Sequence, residues 1–282
     1  MTERISVLIT ARNAERTISS SVKSALRALG RQDQVLVLLD QCTDNTEEKL
    51  DRIRDGRIRK VVSETRLGIN QSRNELLRLA ENDFVAVLDA DDLCLPWRFS
   101  ASRKALGTSD MVFGTALVFG SQLRPFPLLP QYPVSLTHEQ VELSLCLGNP
   151  LVHSTMFGRT KTLLQVGGYS DSLSEDYDLW LRLVAHGATM RRLALPLILY
   201  RFHPNQASQA DGFDELVASN PTLQVSKQRL VEMVARKNSL PAAETQGLED
   251  ALRLKLYQAQ PLMQLEHAGL PEPLKRWKNR KK

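Results

Sequence analysis

Residues 84–92 have the sequence Phe-Val-Ala-Val-Leu-Asp-Ala-Asp-Asp, an apolar run that leads directly into a cluster of acids. A continuous apolar run of this kind is typical of a strand that is covered on both faces of a parallel sheet. Such sheets bind their ligands just beyond the carboxyl ends of the strands. The sequence therefore predicts a functional site at Asp89, Asp91 and Asp92.

These acids have two interpretations. Side chains alternate along an extended segment, so Asp89 and Asp91 would point the same way and share a divalent cation through hard oxygen ligands. Alternatively, Asp91 or Asp92 caps a helix that Pro96 begins. The residues alone leave both interpretations open.

The first half of the chain alternates strand-like and helical patterns. Strand-like segments at 5–10, 35–40 and 59–63 are separated by segments with helical periodicity, and the second one also ends in a carboxylate, Asp40. This order predicts right-handed crossovers and a mostly parallel α/β sheet with helices on both faces. Neither G-x-G-x-x-G nor G-x-x-x-x-G-K-[ST] occurs, which argues against a nicotinamide enzyme and a P-loop ATPase.

The second half is less regular. Residues 111–120 predict a β-hairpin or a bulged strand, residues 151–157 predict a strand, and residues 197–203 predict another. His203 lies just past that last strand, where a structural role and metal ligation both remain open. Helical patterns at 223–234 and 248–256 follow.

Residues 174–183, SEDYDLWLRL, carry the second candidate site. Ser174 is predicted to cap a helix whose first turn concentrates acids, as the helix dipole favours. That account is sufficient for Glu175 and Asp178. Asp176 is the candidate for chemistry, because a carboxylate held at a helix N-terminus suits a general base.

Composition predicts an ordinary cytoplasmic globular protein. The chain has 282 residues and three cysteines without metal-ligand spacing, and it contains neither a long apolar span nor a leader-like segment at its start. The net charge is +5, and residues 275–282 alone contribute +6. This basic tail, which includes Trp277, suits contact with anionic lipid, while a merely solvated end is equally compatible.

Six segments together resemble the family 2 glycosyltransferases of the GT-A fold. They are ISVLITARNAERT (5–17), LLDQCTDNT (38–46), RLGINQSRN (66–74), AVLDADD (86–92), GGY followed by SEDYDLWLRL (167–183) and YRFHPNQAS (200–208). The resemblance implies a GT-A catalytic domain over 1–210, with a nucleotide-binding half at 1–110 and an acceptor half at 111–210. Residues 211–282 would then form a helical C-terminal extension.

The resemblance also implies roles for particular residues. Ala11 and Arg12 would line the nucleotide pocket, Asp40 would hydrogen-bond the base, and Arg73 matches a family arginine near the nucleotide end of the sheet. Asp89 and Asp91 would form the DxD motif that contacts Mn²⁺ or Mg²⁺. His203 matches a histidine that completes the metal site in some members, and Asp176 matches the catalytic base.

The implied reaction is transfer of a sugar, with inversion, from a nucleotide-sugar donor such as a UDP-sugar to an acceptor hydroxyl. The acceptor would be a glycan or a lipid-linked molecule of cell-surface polysaccharide or glycolipid synthesis, and no nucleic-acid partner is expected. Peripheral contact with the inner membrane face through 275–282 and self-association are both open.

Two alternatives are a GT-A binding protein that has lost catalysis and a sugar nucleotidyltransferase. The first would lack the acids, which are present here. The second would carry a glycine-rich basic loop after the first strand, where this chain has Thr-Ala-Arg-Asn-Ala at 10–14.

Overall fold

A computed structural model of the chain describes residues 3–120, 130–131, 134–202, 213–240 and 247–259. The strands in chain order are β1 Ile5–Ala11, β2 Gln34–Asp40, β3 Ile58–Ser63, β4 Phe84–Val87, β5 Leu93–Cys94, β6 Met111–Phe119, β7 Pro130–Gln131, β8 Phe157–Arg159 and β9 Met190–Arg201. The helices are α1 Ile18–Ala28, α2 Thr46–Asp51, α3 Ile69–Leu79, α4 Arg98–Leu106, α5 His138–Leu147, α6 Thr160–Gln165, α7 Glu175–Ala185, α8 Phe213–Ala218, α9 Pro221–Lys237 and α10 Gly247–Ala259.

The strands form one mixed sheet in the order β3-β2-β1-β4-β8-β6-β9-β5, with β7 paired to β6. Strands β3, β2, β1 and β4 are parallel, as the sequence predicts. Beyond β4 the sheet is mixed, because β8 runs antiparallel to both β4 and β6 while β9 is parallel to β6. The carboxyl ends of β1, β2 and β4 therefore lie side by side at one edge of the sheet.

Strand β4 is buried on both faces, as its apolar sequence predicts. Val85 and Val87 contribute to a core with α3, α5, α7, α9 and α10, whereas Phe84 and Ala86 contribute to a core with α1 and α4. Alternate residues of a strand point to opposite faces, so this division means that helices cover both sides of the sheet. Asp89 follows β4 and emerges at the carboxyl edge of the sheet.

Three local predictions have clear outcomes. The helix after Pro96 begins at Arg98 with Trp97 at its N-cap, so helix capping by Asp91 or Asp92 was wrong. Residues 111–119 form one irregular strand, with register shifts beside Gly114, and not a hairpin. Ser174 occupies the N-cap of α7 as predicted, but its hydroxyl makes no capping hydrogen bond.

The predicted strand at 151–157 was mostly wrong. Residues His153–Thr155 form a 3₁₀ turn, and the strand in this region is β8, which begins only at Phe157. The Thr155 hydroxyl donates to the carbonyl of Val152 at 2.7 Å, a local bond that competes with strand pairing. This turn brings Ser154 to the edge of the sheet where β4 ends.

The C-terminal helices α9 and α10 pack against α7 and share its hydrophobic core. Leu223, Leu230 and Val234 of α9 and Leu252 of α10 are buried in the same core as Leu179 and Leu183 of α7. The predicted helices at 223–234 and 248–256 are both present, with longer bounds. Among the residues described, no helix has the length and apolar character needed to cross a membrane.

Candidate active site

The loops that follow β1 and β2 are joined to each other by hydrogen bonds. The Oδ1 atom of Asn13, a residue in the left-handed region with φ of 50°, accepts from the backbone N–H of Thr43 at 2.8 Å. Glu15 Oε2 accepts from the backbone N–H of Asn45 at 3.2 Å and from its side-chain amide at 3.0 Å. Asparagine tolerates this conformation better than most residues, so the chain turns tightly here. The two loops form a continuous rim beside the ends of β1 and β2.

Ala11 and Arg12, which the sequence places at the nucleotide pocket, lie on this rim. Ala11 is the last residue of β1 and is buried opposite Leu39 of β2. Arg12 is exposed. Their contact with a nucleotide stays a prediction. Both residues lie at the carboxyl end of β1, which is where this prediction requires them to be.

Asp40 has a clear structural role. Its Oδ1 accepts from the N–H of Leu67 at 2.7 Å, and its Oδ2 accepts from the N–H of Gly68 at 3.0 Å. Gly68 has a φ of 80° and precedes α3, so the buried carboxylate fixes the segment that begins this helix. Each carboxylate oxygen has a second lone pair, which leaves capacity for the predicted hydrogen bond to a base.

The acids at 89–92 form a tight turn. The N–H of Asp92 donates to the carbonyl of Asp89 at 3.1 Å, and the Ser21 hydroxyl donates to the same carbonyl at 3.0 Å. Arg201, at the end of β9, donates its N–H to Asp92 Oδ1 at 2.8 Å and its Nε–H to the carbonyl of Asp91 at 2.9 Å. The turn is therefore held from α1 on one side and from β9 on the other.

Asp89 and Asp92 differ in their electrostatics. Burial, followed by the charges of Asp89 and Asp91, raises the pKa of Asp92 well above its ordinary value. Burial would also raise the pKa of Asp89, but the Arg73 guanidinium and a hydrogen bond from Ser154 outweigh it, so this pKa is lowered. The turn thus combines a carboxyl group whose pKa is lowered, Asp89, with one whose pKa is raised, Asp92.

Arg73 lies between the acid turn and helix α7. Its Nη2 lies 3.4 Å from Asp89 Oδ1, and its Nη1 donates to Glu175 Oε1. The guanidinium carbon sits 5.5 Å from the centre of the Tyr169 ring. The family resemblance places Arg73 near the nucleotide, and this role stays a prediction. In the structure, Arg73 joins Asp89 to Glu175, the residue directly before Asp176.

Asp176 is held at the start of α7 by three donors. Its Oδ2 accepts from the Asn149 side chain at 3.0 Å, and its Oδ1 accepts from the N–H of Tyr177 at 2.7 Å and from the Ser174 hydroxyl at 3.4 Å. Burial, and then the adjacent charge of Glu175, raises the pKa of Asp176 to about 6. A carboxylate with this pKa is ionised at neutral pH and is a stronger base than an ordinary aspartate.

Several residues at this site were missed by the sequence interpretation. Ser154 donates to Asp89 Oδ2, Asn149 donates to Asp176, and the Tyr169 hydroxyl lies 2.9 Å from His153 Nε2. Burial, followed by the charge of Arg73, lowers the pKa of His153 to about 3, so this imidazole is neutral. The available signal was the polar pair His153-Ser154 inside an apolar segment, Pro-Leu-Val-His-Ser-Thr-Met-Phe at 150–157.

Asp89 and Asp91 are the candidate ligands for a cation at the acid turn. Within the described ranges, no group of three or more His, Cys, Asp or Glu residues could hold a metal ion. Mg²⁺ is commonly bound by one or two carboxylates together with the phosphates of a substrate, and an ionised Asp89 next to Asp91 matches that donor set. His203, the third predicted ligand, lies outside the described residues.

The sheet presents an acid turn after β4, and a second, half-buried carboxylate, Asp176, is joined to that turn through Glu175 and Arg73. The model of glycosyl transferase family 2 matches residues 6–167, more than half of the chain. The protein belongs to this family and is a glycosyltransferase that uses a nucleotide-sugar donor.

Individual relatives agree with this assignment. The Escherichia coli protein WfaP, UDP-Glc:alpha-D-GlcNAc-diphosphoundecaprenol beta-1,3-glucosyltransferase, is 26% identical over 221 residues, which cover 78% of this chain and 86% of the relative. The Bacillus subtilis putative glycosyltransferase EpsE is 24% identical over 257 residues, which cover 86% of this chain and 85% of the relative.

Solved structures confirm the GT-A fold. Residues 1–349 of Staphylococcus aureus TarS, in complex with UDP-GlcNAc, match with a TM-score of 0.62 and 18% identity over 91% of this chain and 81% of that one. The mannosyltransferase PcManGT of Pyrobaculum calidifontis, in complex with GDP-Man and Mn²⁺, matches with a TM-score of 0.55 and 17% identity over 91% of this chain and 70% of that one.

Proposed function

We propose that this glycosyltransferase moves a sugar from a UDP-sugar to a hydroxyl of a lipid-linked acceptor, with inversion at the anomeric carbon and with Asp176 as the general base. The observation that carries this proposal is the arrangement around Arg73. One buried guanidinium contacts Asp89 of the acid turn and Glu175, the neighbour of Asp176. These contacts support a site in which the donor side and the base are held close together.

Asp176 suits the base of a single displacement. Its oxygens are oriented by the Asn149 amide and by the backbone N–H of Tyr177, and its pKa of about 6 makes it ionised and proton-accepting at neutral pH. It would take the proton of the acceptor hydroxyl as that oxygen attacks the anomeric carbon. A base that is separate from the acid turn supports attack from the face opposite the leaving diphosphate, and hence inversion.

Asp89 and Asp91 suit the diphosphate end of the donor. They would hold Mn²⁺ or Mg²⁺, which supplies positive charge to the leaving nucleoside diphosphate. In the structure, Arg201 and Ser21 fix the backbone of this turn, so both carboxylates are presented on a rigid support. Ala11, Arg12 and Asp40 would line the nucleotide pocket, and His203 would complete the cation site.

The lipid-linked acceptor is supported by the relative WfaP, whose acceptor is a diphosphoundecaprenol-linked sugar. Contact between residues 275–282 and the inner membrane face belongs to the same proposal, and these residues lie outside the described part of the chain. Deleting 275–282 should then weaken liposome binding without reducing transfer to a soluble acceptor analogue. Unchanged liposome partitioning would contradict the membrane contact alone.

The experiment that tests the proposal is a transfer assay with the purified full-length chain. The donors would be UDP-Glc, UDP-GlcNAc and GDP-Man, and the acceptor would be GlcNAc-diphosphate linked to a short lipid. Each reaction would be run with Mn²⁺, with Mg²⁺ or with EDTA. We expect a product that carries one sugar from a UDP-sugar donor, and we expect EDTA to abolish its formation. NMR should show that the configuration of the new anomeric centre is inverted relative to that of the donor. Binding of donors without any transfer would instead support the non-catalytic alternative.

A further inference from the structure

Asp178 carries a buried carboxylate that the proposed reaction does not use. Its side chain is fully buried on α7, two residues after Asp176. Its Oδ1 accepts from the Ser226 hydroxyl at 2.6 Å, and its Oδ2 accepts from Arg182 Nε at 2.8 Å and from the Ser170 hydroxyl. Three elements therefore meet on one carboxylate: α7 itself, the turn before it, and α9.

Arg182 extends this network to the turn that precedes α7. Its Nη1 donates to the carbonyl of Val166, and its Nη2 donates to the carbonyl of Gly168, each at 2.7 Å. Gly168 has a φ of 70°, and a Cβ atom there would lie 2.3 Å from Asn74 Oδ1. The turn is thus fixed on both sides, and it places Tyr169 beside the Arg73 guanidinium.

Helices α7 and α9 both lie beyond residue 167, where the segment that the family model matches ends. Besides its buried leucines, α9 contacts the acidic end of α7 and the turn before it. Ser226 bonds Asp178, and Asn220 Oδ1 accepts from the Ser172 hydroxyl at 3.4 Å. Both contacts fall within four residues of Asp176 in the sequence, on either side of it.

The hydrogen bond between Ser226 and Asp178 matters because the Asp178 carboxylate is buried. A buried carboxylate is tolerated only when its oxygens are hydrogen-bonded, and the removal of one donor exposes the desolvation cost of the charge. Without the Ser226 hydroxyl, Oδ1 would lose its hydrogen-bond partner in α9, and the first turn of α7 would be free to move toward water. Asp176 and Glu175 belong to that same turn.

We propose that Asp178 and Ser226 are positioning residues for catalysis, through which helix α9 sets the placement of Asp176. Neither residue touches the substrate; they act by fixing the first turn of α7. The helical segment after residue 210 is then part of the catalytic unit and not only an appendage. This inference rests on the proposed role of Asp176 as base.

The test compares Ser226→Ala with Ser226→Thr and with Thr222→Ala, an exposed hydroxyl on the same helix. Each full-length variant would be measured for kcat, donor KM, the pH profile of kcat, UDP affinity with Mn²⁺ and melting temperature. We expect Ser226→Ala to lower kcat about 10- to 100-fold and to move the midpoint of its pH profile, with UDP affinity unchanged. Ser226→Thr, which keeps the hydroxyl, should restore most of kcat, and Thr222→Ala should match the wild type.

The inference is overturned if Ser226→Ala matches Thr222→Ala in kcat and pH midpoint, or if its loss of kcat follows only its unfolded fraction and disappears at lower temperature. Asp178→Asn, which keeps the volume but changes the charge, provides the second variant and should show the same loss of kcat at unchanged UDP affinity. The two proposals fail differently. Full turnover in Asp176→Asn contradicts the base, whereas an inactive Asp176→Asn together with a fully active Ser226→Ala contradicts this inference alone.

Discussion

Arg73 and Glu175 form a buried ion pair between α3 and the first residue of α7, with side chains only 8% and 16% exposed. The same guanidinium reaches Asp89 Oδ1 at 3.4 Å. The acid turn after β4 and the helix that presents Asp176 are therefore connected through one side chain. This connection is the structural basis for treating the two acidic segments as one site.

Replacing Arg73 with lysine should impair catalysis more than it impairs folding. Lysine keeps the charge but cannot contact Asp89 and Glu175 at once with a planar fork. We expect kcat to fall about 10- to 100-fold, as misplacement of reacting groups costs rate. Steady-state kinetics would measure it, with Arg78→Lys as control, because Arg78 lies on the same helix with a largely exposed side chain. Equal kcat in the two variants would contradict the bridging role.

The pH dependence of transfer should report Asp176. Because burial and Glu175 raise its pKa to about 6, the proposed base would be protonated and inactive below that pH and active above it. We expect kcat to rise with pH through a midpoint near 6. The Asn149 amide donates to the charged form and lowers the pKa, so Asn149→Ala should move the midpoint to higher pH. A midpoint that stays unchanged in this variant would remove Asp176 as the titrating group.

The raised pKa of Asp176 also predicts an effect on folding stability. As pH rises, ionisation of Asp176 should increase the rate of transfer but decrease the stability of the folded state. A carboxylate whose pKa is raised on folding destabilises the folded state at pH values where it is ionised, and this penalty vanishes as pH falls below its unfolded pKa. Asp176→Asn removes the charge, so it should melt above the wild type at pH 8, by about 2 °C or more. The difference should shrink toward pH 4. Differential scanning calorimetry at both pH values would measure it; a lower melting temperature at pH 8 would contradict the account.

Removal of the proposed cation ligands should act on donor binding. Asp91→Asn deletes one of two carboxylates at the acid turn, so we expect UDP to bind at least tenfold more weakly in the presence of Mn²⁺ and without change in EDTA. Calorimetric titration of the purified chain with UDP measures both. Asp171→Asn, an exposed acid, is the matched control. Equal loss with and without metal would point to a direct contact with the nucleotide.

Much of this architecture follows from sequence patterns. Apolar runs that end in Asp40 and Asp89 predict strands of a parallel sheet, and the parallel pairing of β3, β2, β1 and β4 confirms them. Ligand binding at the carboxyl edge of these strands stays a prediction. The acids at 174–178 predict the start of α7 correctly. These features can be predicted because the signal for a strand or for a helix terminus lies within a few consecutive residues.

The partners of the charged residues could not be predicted in the same way. Arg73 and Glu175 are 102 positions apart, and Ser154 reaches Asp89 only because a 3₁₀ turn replaces the expected strand. Both oxygens of Asp40 accept hydrogen bonds from backbone N–H groups of the segment that precedes α3. Such contacts depend on how distant segments pack, so a sequence pattern identifies the acids but not what holds them.

The most direct test of the central claim is the turnover of Asp176→Asn beside that of Asp171→Asn, with UDP affinity measured on the same preparations. Asparagine keeps the size and most hydrogen bonds of the side chain but cannot accept a proton as a base. The account predicts that Asp176→Asn transfers at least 1,000-fold more slowly than the wild type and retains its UDP affinity, and that Asp171→Asn transfers normally. A loss of this size lies within the contribution of general-base catalysis, about 10²–10⁴-fold. Near-normal transfer by Asp176→Asn would show that another group takes the acceptor proton.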